Sequence, residues 1–348
     1  MTAIDRRTDG RLLPLALTMG EPAGIGGEIA LKAWLRRGEG VPPFFAVDEP
    51  RRLAEAGRGL GLPVPIREIS RPEEALRVFP EAFPVLALPL AAPVVPGRID
   101  PTNARAVLAS IDRAVDLVRQ DRAAAIVTNP IHKKTLYDAG FRHPGHTEYL
   151  AARVGGDATP VMMLVGGGLR VVPVTVHLPL RAAIDRLSSD LIVAQGRIVA
   201  KALVTDFGLL RGRVAVAGLN PHAGENGALG REEIELIAPA VERLRAEGID
   251  AVGPLPPDTL FHAGARPRYH AWLCMYHDQA LIPLKTLDFE HGVNVTLGLP
   301  FVRTSPDHGT ALAIAGTGQA SEASLVAAII LAGQMASRRT LRSREVAV

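Results

Sequence analysis

Three histidines stand in the same local setting. Leu169-Arg-Val-Val-Pro-Val-Thr-Val runs into His177, Arg213-Val-Ala-Val-Ala-Gly-Leu-Asn-Pro into His222, and His270-Ala-Trp-Leu-Cys-Met-Tyr into His277. Each is an apolar run that reads as a strand and delivers a histidine at or just past its carboxyl end. In open α/β sheets that edge is where ligands bind. Three imidazoles converging there suit a divalent metal with a position left open for substrate. Taken singly, a histidine after a strand is ordinarily a polar cap on a loop. The repeated setting is what favours a metal, because residues so far apart in the chain have no ligand spacing to test. Asp278 follows His277 directly, and Asp258 sits in Pro256-Pro257-Asp258-Thr259. A carboxylate near a metal orients a ligand or takes a proton, and either aspartate also suits a helix or turn cap.

A second constellation is cationic. Lys285 ends Leu281-Ile-Pro-Leu-Lys285, and Asn294 and Arg303 bracket Val293-Asn294-Val-Thr-Leu-Gly298-Leu-Pro-Phe-Val-Arg303. Cations held against an apolar floor need an anion, because an unpaired buried charge is very costly. A phosphate or carboxylate substrate supplies one; so does a structural salt bridge. Two glycine-rich loops complete the set. Gly20-x3-Gly24-x-Gly26 lacks the dinucleotide fingerprint with its acidic follow-up. Asp307-His308-Gly309-Thr310-Ala311, followed by Ala315-Gly316-Thr317-Gly318, exposes backbone amides suited to a phosphate or an adenine, or forms a tight turn.

The elements that must position these groups alternate. Leu13 to Thr18 reads as a strand running into the first glycine loop, and Glu28 to Arg36 as a helix. Asn103 to Arg119 carries apolar residues at Val107, Ile111, Val115 and Val118 and reads as an amphipathic helix. Ala124 to Thr128, Leu169 to Val176, Arg213 to Ala217 and Ala271 to Met275 read as strands, with helices near Asp190 to Phe207 and Arg231 to Glu247. Gly248 ends the last of these. This alternation predicts an α/β fold with largely parallel sheets.

Length and composition agree. At 348 residues the chain is comfortable for two domains. Aromatics make up only 4% of it, so the core must be built from Ala, Val, Leu and Ile. A formal net charge of +3, with cations scattered among nearly as many acids, is no nucleic-acid footprint. The basic stretch Arg338 to Arg344 reads as a solvated tail. The single cysteine, Cys274, excludes an intramolecular disulfide and reads as buried packing. MTAIDRRTDGR lacks the apolar run of a signal peptide, and Leu325 to Ala332 falls far short of the ~20 residues a spanning helix needs. The expectation is a cytoplasmic protein with no membrane and no nucleic-acid partner.

Gly20-Glu-Pro-Ala-Gly-Ile-Gly26, Pro144-Gly-His-Thr-Glu148, Thr175-Val-His-Leu-Pro-Leu180 and Gly218-Leu-Asn-Pro-His-Ala-Gly-Glu225 follow one another in the chain. After them come Gly253-Pro-Leu-Pro-Pro-Asp-Thr-Leu-Phe261, Met275-Tyr-His-Asp-Gln279, the run Gly292 to Ser305, and Asp307-His-Gly-Thr-Ala311. Together, and in this order from about Leu15 to Ala332, they resemble the 4-hydroxythreonine-4-phosphate dehydrogenase family of pyridoxal phosphate (vitamin B6) biosynthesis. Asn129, in Thr128-Asn129-Pro130-Ile131-His132-Lys133, departs from the resemblance: glycine is expected there.

The resemblance implies two α/β/α domains akin to isocitrate and isopropylmalate dehydrogenases, with the active site in the inter-domain cleft. The expected division is 1–130 plus 300–348 as the NAD-side domain, and 131–299 as the metal, substrate and dimerisation domain. His177, His222 and His277 match metal ligands; His146, Thr147, Lys285, Asn294 and Arg303 match substrate contacts. Asp258, Asp278 and Lys285 are the candidate catalytic groups. Asp307, His308, Gly309, Thr310 and Gly316 resemble a cofactor loop. The implied cofactors are NAD or NADP and one divalent metal per site, zinc first, then cobalt, magnesium or manganese. The implied partners are a small phosphorylated hydroxy acid and a second copy of the chain, the metal lying near a homodimer interface. The expected reaction is NAD-dependent oxidation of 4-hydroxythreonine 4-phosphate to 2-amino-3-oxo-4-(phosphooxy)butanoate, followed by decarboxylation to 3-amino-2-oxopropyl phosphate. Related dehydrogenases acting on threonate or erythronate 4-phosphate, or on an aromatic cis-dihydrodiol carboxylate, are the near alternatives. A histidine-metal hydrolase or phosphatase, and a phosphate acetyltransferase-like enzyme, are alternatives of other classes.

Overall fold

A computed structural model describes residues 12–138, 140–143, 145–155 and 158–347; the stretch MTAIDRRTDGR and Pro144 of the Pro144–Glu148 motif lie outside them. The chain forms two compact units, Met1–Pro160 with Leu299–Val348, and Val161–Gly298.

The first unit holds β1 (Leu15–Thr18), β2 (Phe44–Asp48), β3 (Ile66–Ile69), β4 (Phe83–Ala87) and β5 (Ile126–Val127). In the second are β6 (Val161–Gly166), β7 (Leu169–Pro173), β8 (Val214–Ala217), β9 (Ala251–Leu255), β10 (Ala271–Cys274) and β11 (Val293–Leu297). The chain then returns to the first unit with β12 (Arg303–Pro306).

In the first unit the order is β3-β4-β2-β1-β5-β12, and every pairing is parallel. All of β1 and β2 is buried, as expected of parallel strands covered on both faces. The Ala104–Arg119 helix buries Val107, Ile111, Ala114, Val115 and Val118, the spacing of one helical face. It begins one residue later than its periodicity predicts. Asn103 is spent on the preceding loop, where its Oδ1 accepts from Ala91 N–H and Ala92 N–H, both at 3.0 Å. Ser110 on this helix joins two strand ends: its hydroxyl donates to Val47 O at 2.7 Å and accepts from Met19 N–H at 2.9 Å.

Residues 131–160, expected with the second unit, belong to the first. Packing explains this. Leu150 of the His146–Val154 helix is fully buried in the first unit's core. Tyr149 Oη donates to Asp112 Oδ1 at 2.6 Å, and Arg153 Nε donates to the same oxygen at 2.8 Å.

The second unit has the order β11-β6-β7-β10-β8-β9. Its β7-β10-β8-β9 half is parallel as expected, but β6 runs antiparallel to both β7 and β11. A two-residue turn, Gly167-Gly168, makes the difference. Both residues have positive φ, +56° and +79°, the requirement of the tight hairpin turn that matches strand twist. The strand read as Leu169 to Val176 ends at Pro173, although Val174 N–H still reaches Cys274 O at 2.7 Å. The core of this unit includes Leu164, Val171, Trp272 and Leu284. Cys274 is fully buried among them, which pushes its thiol pKa up.

Replacing Ser110 with Ala leaves Met19 N–H buried without its acceptor. The expected cost is about 1–3 kcal/mol, read as a lower urea midpoint at unchanged m-value.

Candidate functional site

The second unit brings three histidine-bearing segments to one sheet edge. Strands β7, β10 and β8 are adjacent and parallel, with β10 in the middle, so the residues that follow them leave from the same side. Side chains lock these exits together. Thr175 Oγ1 donates to Met275 O at 2.8 Å. Gln279 accepts from Met275 N–H at 2.6 Å and donates to Gly218 O at 2.7 Å.

His277 opens the His277–Leu287 helix, and His177 follows β7 in the left-handed region at φ +52°. Their ring centroids are 5.7 Å apart. Asp278 Oδ1 lies 2.7 Å from His277 Nδ1. A proton on that nitrogen leaves Nε2 as the lone-pair donor, the arrangement by which a carboxylate orients a metal-binding imidazole. His222 lies in the Pro221–Gly227 loop, where residues 222–226 all have positive φ, from 43° to 80°. Four of the five are not glycine, and each costs roughly 1–2 kcal/mol in that conformation. Glu233 offsets part of this. It is 3% exposed and stands in a π-helical turn, Glu233–Ile237, a distortion frequent at functional sites. Its Oε1 accepts from Leu219 N–H and Asn220 N–H, both at 2.7 Å, and its Oε2 from Asn220 Nδ2 at 2.9 Å.

The donor chemistry fits a divalent ion. Among the described residues, however, no three His, Cys, Asp or Glu side chains are gathered as a metal-binding group. Asp258 is exposed in the first turn of the short Pro257–Leu260 helix. Lys285 lies on the His277 helix, its Nζ 5.7 Å from the centre of the Phe289 ring. His277, Asp278, Leu281, Ile282, Lys285 and Thr286 line a depression of about 400 Å³. Asn294 is on β11, its Oδ1 buried without a hydrogen-bond partner.

The first unit gathers charge. Arg303 opens β12, 3% exposed, and donates to Thr128 Oγ1 at 2.6 Å. Burial lowers its pKa to about 10 although Glu148 pulls the other way. His146 begins the His146–Val154 helix, with Thr147 half-buried behind it. The Nε2 of His146 is shielded from solvent and has no hydrogen-bond partner. Burial first, then the charges of Arg303 and Lys133, hold its pKa well below 6.5, so the ring is neutral at pH 7. Arg303 and Lys133 both act on His146, and Glu148 acts on Arg303.

The cofactor candidates form a braced loop. Asp307 N–H donates to Ser324 Oγ at 3.0 Å, His308 Nδ1 lies 3.1 Å from Gly309 O, and Thr310 O accepts from Ile25 N–H at 3.0 Å. Glu28, 4% exposed, accepts from Gly316 N–H and Ala320 N–H, both at 3.2 Å. Lys32 pairs with Glu28 at 2.9 Å and donates to Gly318 O and Ala320 O at 2.8 and 2.6 Å. Asn129 is a strap: its amide nitrogen reaches Thr18 O at 3.1 Å and Gly26 O at 3.4 Å, tying the first glycine loop to the end of β5. Sequence reasoning passed over Glu233, Glu28, Lys32, Thr128 and Lys133. Each acts on a group distant in the chain, and only the pair Glu28 and Lys32, spaced i,i+4 on a helix, left a local signal.

Comparison with known proteins supports this architecture. A crystal structure of 4-hydroxythreonine-4-phosphate dehydrogenase from Klebsiella pneumoniae matches with a TM-score of 0.84 at 39% identity, covering 93% of this chain and 99% of that one. A terephthalate 1,2-cis-dihydrodiol dehydrogenase from Burkholderia xenovorans matches with a TM-score of 0.64 at 29% identity, covering 92% and 98%. The fold is therefore that of an α/β dehydrogenase. A curated 4-hydroxythreonine-4-phosphate dehydrogenase from Bradyrhizobium diazoefficiens is 55% identical over 94% of this chain and 98% of its own length. With residues 42–332 also matching the family described as "Pyridoxal phosphate biosynthetic protein PdxA", the chain belongs to that family. It is a family of dehydrogenases acting on a CH–OH group, and membership implies a nicotinamide cofactor and a divalent metal. No helix among the described residues is long and apolar enough to cross a membrane.

His146 carries a pH signature. Its folded pKa is depressed while the unfolded chain titrates near 6.5. Its contribution to stability is therefore unaffected above pH 6.5 and turns unfavourable as pH falls through 6.5 toward the folded value. His146→Gln is expected to remove that loss. The melting-temperature gap between wild type and variant, compared at pH 7.5 and 5.5, should shift in the variant's favour at the lower pH.

Proposed function

We propose that the chain oxidises 4-hydroxythreonine 4-phosphate with NAD to 2-amino-3-oxo-4-(phosphooxy)butanoate, which loses carbon dioxide to give 3-amino-2-oxopropyl phosphate, a step in pyridoxal phosphate biosynthesis. The observation that carries it is the cationic cluster of the first unit. Arg303 is buried, and Lys133 lies near enough to a neutral His146 to act on its charge; cations so placed suit a phosphate dianion. A neutral His146 donates a hydrogen bond without adding charge, and Thr147 offers a hydroxyl from the first turn of the same helix. Lys285 and Asn294 are the second unit's candidate substrate contacts.

His177, His222 and His277 would hold the metal, zinc first among the candidates, with Asp278 fixing the His277 tautomer. When bound, the metal supplies charge that lowers the pKa of a coordinated hydroxyl, and the nicotinamide supplies a hydride acceptor. Asp258, Asp278 and Lys285 are the groups assigned to moving protons. The braced loop from Asp307 through Gly316 offers backbone amides to the dinucleotide, which either NAD or NADP satisfies. We assign the working form as a homodimer with the metal near its interface. Leu180, Ile282 and Phe289 are 58%, 62% and 78% exposed, and the first two lie within five residues of His177 and His277. Sedimentation is expected to give twice the chain mass. A cytoplasmic setting fits a soluble cofactor pool.

The test is NAD reduction at 340 nm with 4-hydroxythreonine 4-phosphate, before and after chelation. Activity should vanish on chelation and return with a divalent ion, and His222→Ala should lose at least about 100-fold in kcat/KM with its fold intact. Turnover only of threonate 4-phosphate or of a cis-dihydrodiol carboxylate would keep the chemistry and move the substrate. Phosphate release without NAD reduction would point to a hydrolase instead.

A further inference from the structure

We infer that Glu233 is the positioning residue for His222, holding the left-handed 222–226 loop in the one conformation from which its imidazole reaches a metal. The inference rests on the metal reading above and adds a residue to it.

Glu233 lies eleven positions beyond His222, on a different element. Its carboxylate is buried and committed entirely to the chain entering the His222 loop. Oε1 takes the N–H groups of Leu219 and Asn220, and Oε2 takes the Asn220 side-chain amide. The amide of Asn220 also reaches Glu232 Oε2 at 2.7 Å. Glycines leave the room for this. A Cβ at Gly224 would lie 2.6 Å from Glu233 Oε2, and one at Gly218 would lie 3.1 Å from Oε1. A Cβ at Gly230 would collide with the Asn220 amide. The socket therefore admits a carboxylate and excludes the side chains that would displace it. Gly218 is also the point where Gln279, on the His277 helix, takes hold through Gly218 O at 2.7 Å. The same residue thus references the His222 loop to the element that carries His277.

The anchor needs an acceptor at both oxygens. Glutamine keeps one and turns an NH2 toward the NH2 of Asn220, so that pair of groups repels. An outer residue that orients a ligand shows itself in metal affinity, ordinarily by 10- to 100-fold. A residue that merely closes a turn shows itself in stability alone.

The experiment is cobalt(II) titration of the metal-free full-length protein, followed by the visible d–d absorbance, with zinc affinity read by competition with a chromophoric chelator. Melting of each metal-free variant is recorded in parallel. Glu233→Gln is expected to bind cobalt about 10- to 100-fold more weakly than wild type and to keep the wild-type spectrum at saturation. Gly224→Ala presses on the same carboxylate without changing charge, is expected to act in the same direction, and carries the test if Glu233→Gln does not fold. Wild-type cobalt affinity in these variants, whatever their melting temperatures, overturns the assignment. His222→Ala separates the two levels. If it weakens cobalt binding and changes the spectrum while Glu233→Gln does neither, the metal reading stands and the role of Glu233 falls. If His222→Ala binds cobalt as wild type does, the metal reading falls and takes this inference with it.

Discussion

Parallel pairing of β7, β10 and β8 is the constraint that brings the second unit's histidine-bearing segments together. A parallel ladder fixes not only which strands are neighbours but which ends they share. Three histidines spread over a hundred residues of the chain therefore leave the sheet at one edge. Hydrogen bonds from Thr175 and Gln279 across the strand exits then remove slack the ladder would leave. Neither feature would serve alone. An unpinned loop after a well-registered strand still leaves its side chain several places to go.

The first unit solves a different problem, the holding of charge where water is scarce. Arg303 is buried enough for its pKa to fall, and His146 is kept neutral by burial and by its cationic neighbours. Burying a cation is costly in the free protein, and an anion beside it relieves part of that cost.

Both units show the same building device: a buried carboxylate holding a glycine-containing loop by its backbone amides. Glu28 does this for Gly316 and Ala320, Glu233 for Leu219 and Asn220. A carboxylate is suited to the task because each oxygen accepts more than one hydrogen bond and donates none. The loops so held carry unusual φ values, including the run from His222 to Asn226. Such backbone persists only where surrounding structure over-determines it.

Much of this was legible in the chain. Apolar runs ending in His177, His222 and His277 marked strands and their carboxyl ends, because strand burial writes itself into composition and the next polar residue marks the exit. The amphipathic period of Val107, Ile111, Val115 and Val118 marked a helix for the same reason, and a single Cys274 among apolar neighbours marked a buried thiol. The family was legible in the order of its motifs. Other features had no local trace. The allocation of residues 131–160 to the first unit turned on Leu150 and on Asp112 meeting Tyr149 and Arg153, contacts between segments more than thirty residues apart. The antiparallel turn of β6 against β7 rested on Gly167 and Gly168, whose positive φ a glycine permits but does not announce. The proton state of His146, the burial of Arg303 and the grip of Glu233 depend on what lies across space, and burial and electric field are properties of an arrangement. The sequence by itself determined the kinds of groups available and the strands that carry them; only the tertiary structure decided which of them meet, because pairing energies act through space while periodicity acts along the chain.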